Sequence, residues 1–93
     1  MRTTIDRSGK FKRDVKREYK THGSALDTML EEVIALLMTD TLLPTRYQDH
    51  KLTGEWADFR ECHIKPDLLL IYEKPEDDTL GLARLGSHSE IFG

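Results

Sequence analysis

Apolar residues recur at a helical period near the start of the chain. Phe11, Val15 and Tyr19 stand four residues apart, so on a helix they would form a single stripe. Ser8 is a residue type that caps helix starts, and Gly23 is one that ends helices. The basic residues of this segment lie mostly off the stripe: Lys12, Arg13, Lys16, Arg17 and Lys20. We therefore predict a first helix between Ser8 and Gly23, with a basic outer face.

A second apolar pattern of helical period follows almost at once. Its members are Leu26, Met29, Leu30, Val33, Ile34, Leu37 and Met38. Ser24 and Asp27, three residues apart, predict a capping box at its start. Because the connection between the two patterns is so short, we expect an antiparallel helix pair that packs on the rest of the chain.

From residue 57 the period changes from helical to extended. Three strands are predicted, over residues 57–64, 67–73 and 80–85, after a short β-prone start at residues 3–5. Connections this short require an antiparallel meander. The middle strand is apolar on both faces, which is typical of a central strand that is covered on both sides. The predicted fold class is α+β, with two antiparallel helices on one face of a small antiparallel sheet.

Alternation along the first of these strands separates two kinds of residue. One face would carry Phe59, Glu61 and His63, and the other Arg60, Cys62 and Ile64. The first face holds ionisable groups, whereas the second largely suits the core.

Length and composition narrow the class of protein. We expect one domain over residues 1–93. No apolar run is long enough for a membrane span, and the first twenty residues lack the apolar segment of a signal peptide. A soluble, cytoplasmic protein that does not bind membranes is therefore expected. Cys62 is the single cysteine, which excludes an internal disulfide and indicates a small buried residue.

The net charge of −3 conceals an asymmetry along the chain. The first twenty residues hold eight Lys or Arg against three Asp or Glu, whereas the remaining residues hold six against fourteen. A basic segment on an acidic body can contact phosphate locally, because electrostatic fields act over about 10 Å at physiological salt. The alternative is an ordinary solvated helix face.

Three histidines fall at the edges of the predicted sheet. His50 lies in a loop, His63 at the end of the first strand and His88 after the last. Because antiparallel strands reverse at each turn, we expect His63, Asp67 and Arg84, followed by His88, at one edge. Imidazoles that titrate near neutrality, a carboxylate to orient one of them and an arginine to stabilise a phosphorane suit metal-independent cleavage of RNA.

Each of these residues also has an ordinary structural interpretation. His50 could be a surface loop residue, and Asp67 after Pro66 a turn residue. Arg84 could form an ion pair with Glu61 across the sheet. Zinc binding is a further alternative, but no closely spaced HxH or HxxxH pair is present, so we predict neither a metal nor another cofactor. Spacing alone leaves these alternatives open.

Longer motifs carry more information than single histidines. The segments DHKLTGEW (residues 49–56), FRECHIKPD (residues 59–67) and RLGSHSEIF (residues 84–92) resemble the YafQ branch of the RelE-type bacterial toxins. The likeness is specific from about residue 44 to residue 92. It implies the RelE fold, cleavage of mRNA in the decoding site of the 70S ribosome, and neutralisation by a cognate antitoxin of the ribbon-helix-helix type.

The resemblance also implies which residues are catalytic. The corresponding positions of this chain are His50, His63, Asp67 and His88. His88 is expected to act as general acid or base, with His50 and His63 completing the proton transfer. Asp67 is expected to orient one of the histidines.

A second group of positions is implied to bind the substrate. Phe92 is expected to stack on a base, since such stacking contributes on the order of 1–3 kcal/mol. Arg84 would contact the phosphate, with Glu61 as a further support. We also expect Lys51 and Arg60 to contact the RNA.

A ParE-like toxin, which would share this fold but bind DNA gyrase without cutting RNA, is the main alternative. Such a protein has no need of clustered imidazoles, so the three histidines favour the ribonuclease. A plain interaction protein of the same fold would tolerate replacement of all three.

Overall fold

The two helical stripes correspond to two helices in the computed structural model, which describes residues 1–75 and 77–93. Helix α1 spans Gly9–His22 and helix α2 spans Ala25–Met38. Both lie on the same face of a five-stranded sheet, as predicted.

Local chemistry explains where α1 begins and ends. The Ser8 hydroxyl oxygen accepts a hydrogen bond of 2.9 Å from the backbone N–H of Phe11, and Gly23 ends the helix with a φ of 60° that favours glycine. The predicted capping box of α2 is wrong. Ser24 has helical backbone angles and its side chain makes no capping hydrogen bond, because a capping hydroxyl needs an extended backbone to reach the first N–H groups.

The sheet has the strand order β1-β5-β4-β3-β2. Its strands are β1 (Thr4–Arg7), β2 (His50–Lys51), β3 (Arg60–Lys65), β4 (Leu68–Glu73) and β5 (Thr79–Gly86). The strands β2 to β5 pair antiparallel, which confirms the predicted meander of β3, β4 and β5.

The sheet departs from the prediction at both edges. β1 runs parallel to β5, with Thr4 opposite Thr79 and Arg7 opposite Leu82, so the sheet is not wholly antiparallel. Parallel neighbours require a long crossover, and here all the elements from α1 to β4 lie between the two strands. At the other edge, β2 adds two residues, and β3 begins at Arg60 because a 3-10 turn at Gly54–Trp56 precedes it.

Two apolar clusters hold the layers together. The larger lies between the helices and the sheet and includes Leu26, Val33, Leu37, Cys62, Leu70 and Leu85. The smaller lies on the opposite face of the sheet, where Leu69, Ile71 and Ile91 are buried beside Leu52, Trp56, Phe59, Ala83 and Phe92. β4 is therefore covered on both faces, as its sequence predicts. Ile91 belongs to a short C-terminal helix, α3 (His88–Phe92), that was not among the predicted elements.

The inner face of α1 differs from the predicted stripe. Phe11 is buried and Val15 half-buried, but Tyr19 is 44% exposed, and Asp14 and Glu18 are buried in its place. The cause is the position of α1 beyond the end of β1, along the open edge of β5, whose backbone groups need polar partners. Within the described residues, no helix is long and apolar enough to cross a membrane.

Candidate functional site

Strand register brings two of the predicted histidines to one carboxylate. β2 places His50 opposite Glu61, and alternation along β3 puts Glu61 and His63 on the same face of the sheet. Nε2 of His50 lies 3.0 Å from Oε2 of Glu61, and Nε2 of His63 lies 3.7 Å from the same oxygen. The two ring centroids are 6.5 Å apart. We call these three residues the histidine cluster.

Glu61 is the buried member of the histidine cluster. The residue is 6% exposed, and its second oxygen, Oε1, is buried without a hydrogen-bond partner among the described residues. Buried carboxylate oxygens are normally hydrogen-bonded. Oε1 is thus a buried acceptor with unused hydrogen-bonding capacity, and Oε2 is shared by the two imidazoles.

His50 is oriented by the loop that precedes it. Its Nδ1 lies 2.7 Å from the carbonyl oxygen of Gln48, a residue with a left-handed backbone (φ 48°). A carbonyl only accepts hydrogen bonds, so Nδ1 donates this one, and Nε2 is the nitrogen that faces Glu61. The loop thus fixes which ring nitrogen of His50 meets the carboxylate.

The next residue, Asp49, anchors the same loop to the sheet. The Tyr72 hydroxyl donates to Oδ1 of Asp49 over 2.5 Å, and Nη2 of Arg60 lies 3.1 Å from Oδ2. Burial and the bond to Asp49 raise the pKa of Tyr72 above its usual value, so its hydroxyl remains a donor. Arg60 is thus paired with Asp49. In the strand register it lies opposite Tyr72, and it is on the other face of the sheet from Glu61. Neither Arg60 nor the exposed Lys51 beside it joins the histidine cluster.

The C-terminal helix α3 places His88 and Phe92 on the same face of the sheet as the histidine cluster. Its buried residue Ile91 packs on Leu69 and Ile71, which lie opposite His63 and Glu61 in register. The ring centroids of His88 and Phe92 are 4.8 Å apart, and that of Phe92 lies 5.7 Å from that of Trp56. His88 itself is exposed, and no contact joins it to His50 or His63 among the described side chains.

The two remaining predicted residues, Asp67 and Arg84, have different surroundings from those expected. Asp67 is exposed in the turn between β3 and β4, and the group that faces Nδ1 of His63 is the carbonyl oxygen of Pro66, at 3.4 Å. Asp67 lines a cleft of about 450 Å³ together with His22 and Glu90.

Arg84 does not pair with Glu61, so that interpretation is wrong. Its Nε donates to Oδ2 of Asp14 over 2.7 Å, and Asp14 also accepts from the backbone N–H of Leu85. The reason is the position of α1 along the edge of β5, which brings a buried carboxylate to the strand end that carries Arg84.

Sequence reasoning did not identify several residues that shape this site. Gln48, Asp49 and Tyr72 orient His50, and Trp56 supports Phe92. Their roles depend on contacts between distant segments, for which a single sequence carries no periodic signal. Trp56 and Asp49 do lie within the DHKLTGEW segment, which is the one signal that pointed to them.

The arrangement of possible ligands bears on metal binding. Within residues 1–75 and 77–93, no group of three or more His, Cys, Asp or Glu side chains has an arrangement that could hold a metal ion. The histidine cluster, in which both imidazoles face Glu61, is no exception. The described side chains therefore do not form a ready-made metal centre.

Comparison with known proteins gives consistent matches over nearly the whole chain. The sequence model of the family described as "Bacterial toxin of type II toxin-antitoxin system, YafQ" matches residues 3–93. The chain is 40% identical over 90 residues to the mRNA interferase toxin YafQ of Escherichia coli K12. The aligned region covers 96% of this chain and 95% of the relative.

Two solved structures are informative as well. The E. coli DinJ-YafQ complex contains a chain of 37% identity with a TM-score of 0.86, covering 100% of both chains. A metal-bound toxin from Helicobacter pylori has 48% identity and a TM-score of 0.86, covering 96% of this chain and 98% of that one.

Proposed function

Because the chain belongs to the YafQ family of bacterial toxins of type II toxin-antitoxin systems, we propose that it is an endoribonuclease that cleaves mRNA on the ribosome. The observation that carries the proposal is that the histidine cluster and helix α3, which bears His88, lie on the same face of the sheet. The E. coli relative of 40% identity is named an mRNA interferase, which supports the same activity.

The reaction is a transfer of the phosphodiester within the RNA. A general base removes the proton of a ribose 2′-hydroxyl, the 2′-oxygen attacks phosphorus, and a general acid protonates the departing 5′-oxygen. The products are a 2′,3′-cyclic phosphate and a 5′-hydroxyl. In our proposal His88 acts at one of these two oxygens, and His50 and His63 complete the proton transfer at the other.

Glu61 gives the cluster its acid–base character. Its Oε2 is shared by the two imidazoles, at 3.0 Å from His50 and 3.7 Å from His63, and so keeps them close together. Because little water reaches this carboxylate, its electrostatic effect on the imidazoles is stronger than at the surface.

The supporting roles follow from the surroundings of the remaining residues. Asp67, at the turn beside His63, orients a histidine once the RNA is bound. Arg84 is held by Asp14 with its side chain 15% exposed, and it contributes positive charge at the phosphate. Phe92 offers a ring for base stacking beside His88. Lys51 and Arg60 lie outside the histidine cluster, on neighbouring strands at the β2 edge of the sheet, and attract the RNA backbone from there.

Two partners accompany this function. We propose that a cognate antitoxin of the ribbon-helix-helix type binds and neutralises the chain, in line with the DinJ-YafQ complex of the E. coli relative. The ribosome is the second partner, because it can orient an mRNA for which this acidic body alone has little affinity.

The metal-bound relative from H. pylori calls for a separate test. In this chain His50 and His63 would offer imidazole ligands to zinc or copper only after a rearrangement of the histidine cluster, and no step of the proposed reaction passes through a metal. We expect chelators selective for transition metals to leave cleavage unchanged in the presence of the magnesium that ribosomes need. A stoichiometric requirement for zinc or copper would overturn the metal-independent mechanism.

The central experiment is translation in a purified system with mapping of mRNA ends, with and without ribosomes. Cleavage that needs ribosomes and leaves cyclic phosphates is the expected result. Equal cleavage of naked RNA at low enzyme concentration would contradict ribosome dependence. Inhibition of DNA supercoiling by gyrase without RNA cleavage would instead support the ParE-like alternative.

A further inference from the structure

The helix that carries His88 cannot hold its place alone. α3 has five residues, far fewer than an isolated helix needs in water. Its apolar side is fixed by Ile91, which is 8% exposed, and by the contact of Phe92 with Trp56. Its polar side depends on Glu90, which lies two residues after His88.

The carboxylate of Glu90 has two separate attachments. Oε1 accepts a hydrogen bond of 2.8 Å from the backbone N–H of Ser87, while the Ser87 hydroxyl accepts one from the N–H of Glu90, which completes a capping box. Oε2 lies 3.0 Å from Nε of Arg17 on α1. The second attachment is a polar contact between α3 and α1, on the side of α3 away from its apolar packing.

The Arg17 guanidinium joins three elements at once. Within α1 it contacts Oδ1 of Asp14 at 2.9 Å and Oε2 of Glu18 at 3.0 Å. On β5, its Nη2 donates to the carbonyl oxygen of Leu85 over 2.8 Å, and on α3 it meets Glu90. A planar guanidinium can serve these partners together, whereas a lysine ammonium cannot reproduce that geometry.

Gly86 leaves room for this guanidinium at the end of β5. A Cβ added at Gly86 would lie 2.5 Å from Nη2 of Arg17 and 3.1 Å from Oε1 of Glu90. Any larger residue at this position would displace Arg17, and it would also strain the backbone, whose φ of 158° side-chain-bearing residues rarely adopt. The same network reaches Arg84 through Asp14, so two proposed site residues depend on it.

We propose that Arg17 is a positioning residue for the ribonuclease reaction, because its guanidinium fixes α3, and with it His88, against the edge of the sheet. This inference rests on the proposed function. The Arg17 side chain is 39% exposed, and ion pairs of such exposure contribute little to stability. A displacement of about 1 Å in a catalytic group, in contrast, can cost on the order of 10²-fold in rate.

The test uses Arg17→Lys and Glu90→Gln in the full chain. Glu90→Gln retains the capping box, since glutamine serves equally at that position, and removes only the charge that faces Arg17. We expect kcat for ribosome-bound mRNA to fall on the order of 10- to 100-fold in both variants with little change in KM, and with little change in Tm for Glu90→Gln. The double variant should lose hardly more than Arg17→Lys alone, because the contact that Glu90→Gln removes is already lost when the guanidinium is absent. Lys20→Gln, an exposed change on α1, should be neutral.

Hydrogen exchange provides a readout that does not depend on activity. The amides of Ile91 and Gly93 bond to Ser87 and Ser89 within α3, and their exchange should accelerate in Arg17→Lys but not in Lys20→Gln. Unchanged exchange, or kcat within twofold of the unmodified protein in both single variants, would overturn the inference. If the unmodified protein does not cut mRNA, the proposed function fails, and the catalytic part of the inference fails with it. Exchange at these amides then still decides whether Arg17 anchors α3.

Discussion

At the scale of single residues, the proposed catalytic histidines differ in how firmly their side chains are held. His50 is fixed on two sides, by the Gln48 carbonyl and by Glu61, whereas His88 is exposed and touches the Phe92 ring. Truncation of an exposed imidazole removes few packing contacts. Its effect on rate can therefore be measured with little disturbance of the fold.

We predict that His88→Ala keeps the melting temperature and the affinity for the antitoxin but loses most mRNA cleavage and growth arrest. The loss of one acid or base costs typically about 10²–10⁴ in rate. Cleavage rates on ribosomes and thermal unfolding provide the measurement. Full toxicity and a normal rate would show that His88 is not catalytic, and an unfolded variant would assign it a structural role.

Phe92→Ala is expected to lose a smaller but clear share of activity. Because Phe92 also packs on Trp56, the matched variant Phe92→Leu separates the two effects. Leucine preserves much of the apolar contact but lacks a ring for stacking. If Phe92→Leu cleaves as fast as the unmodified chain, base stacking is not its role.

The anchor of the His50 loop gives a prediction about stability. Asp49→Ala leaves the Tyr72 hydroxyl, on a residue that is 1% exposed, without its acceptor, so the free energy of unfolding should fall by about 1–3 kcal/mol. Tyr72→Phe should cost less, because it removes the hydroxyl itself. Adding Tyr72→Phe to Asp49→Ala should therefore cost little more, as measured by urea denaturation. Independent, additive losses would contradict this coupling.

At the scale of elements, the sequence predicted what depends on local periodicity. α1, α2 and the meander carry repeats of apolar residues, and alternation along β3 correctly placed Glu61 and His63 on one face. The parallel pairing of β1 with β5 joins distant segments, and α3 is too short to show a helical period. Neither leaves a local signal. Asp14 falls on the inner face of α1 only because β5 supplies the partners, which the helix sequence cannot reveal.

The edge contact between α1 and β5 predicts an acid dependence of stability. Burial alone would raise the pKa of Asp14, but hydrogen bonds from Arg84 and from the Leu85 N–H outweigh it and lower the pKa below its usual value. A carboxyl whose pKa is lowered on folding stabilises the fold above its unfolded pKa of about 3.9, and this contribution is lost as pH falls through the folded pKa. The free energy of unfolding should thus decline as pH drops below about 4.

Asp14→Asn tests this assignment. The variant should be less stable at neutral pH, because its amide cannot replace a carboxylate facing Arg84, and its stability should fall less steeply below about pH 4. Asp58→Asn, at an exposed position, serves as the control. Urea denaturation at a series of pH values gives both slopes. Parallel curves for Asp14→Asn and the unmodified chain would show that Asp14 is not the group responsible.

At the scale of the whole molecule, the fold divides the basic N-terminal segment into two parts. Arg17 is used internally by Asp14, Glu18 and Glu90, so it does not belong to the solvated face that the sequence indicated. Lys12, Arg13 and Lys16 remain exposed on α1. If the ribosome is the partner, as we propose, this basic patch is a surface of the chain that can attract its phosphates, on a body whose net charge is −3.

We predict that reversal of this patch, with Lys12, Arg13 and Lys16 changed to Glu, weakens ribosome binding without unfolding the protein. The salt dependence of binding should also become weaker, because a protein that neutralises fewer phosphates releases fewer counterions. Binding to purified ribosomes at several salt concentrations, with thermal unfolding in parallel, provides the measurement.

A compensated variant distinguishes local contact from overall charge. Three exposed acidic residues of α2, namely Asp27, Glu31 and Glu32, can be changed to Lys in the same chain, which restores the net charge of −3 on a neighbouring helix. Electrostatic fields decay over about 10 Å at physiological salt, so the position of the charged residues should matter more than the net charge of the chain. If the compensated chain binds as the unmodified one does, only total charge counts. If the reversed chain already keeps its full affinity at low salt, this face of α1 is merely solvated, and the ribosome recognises the protein elsewhere.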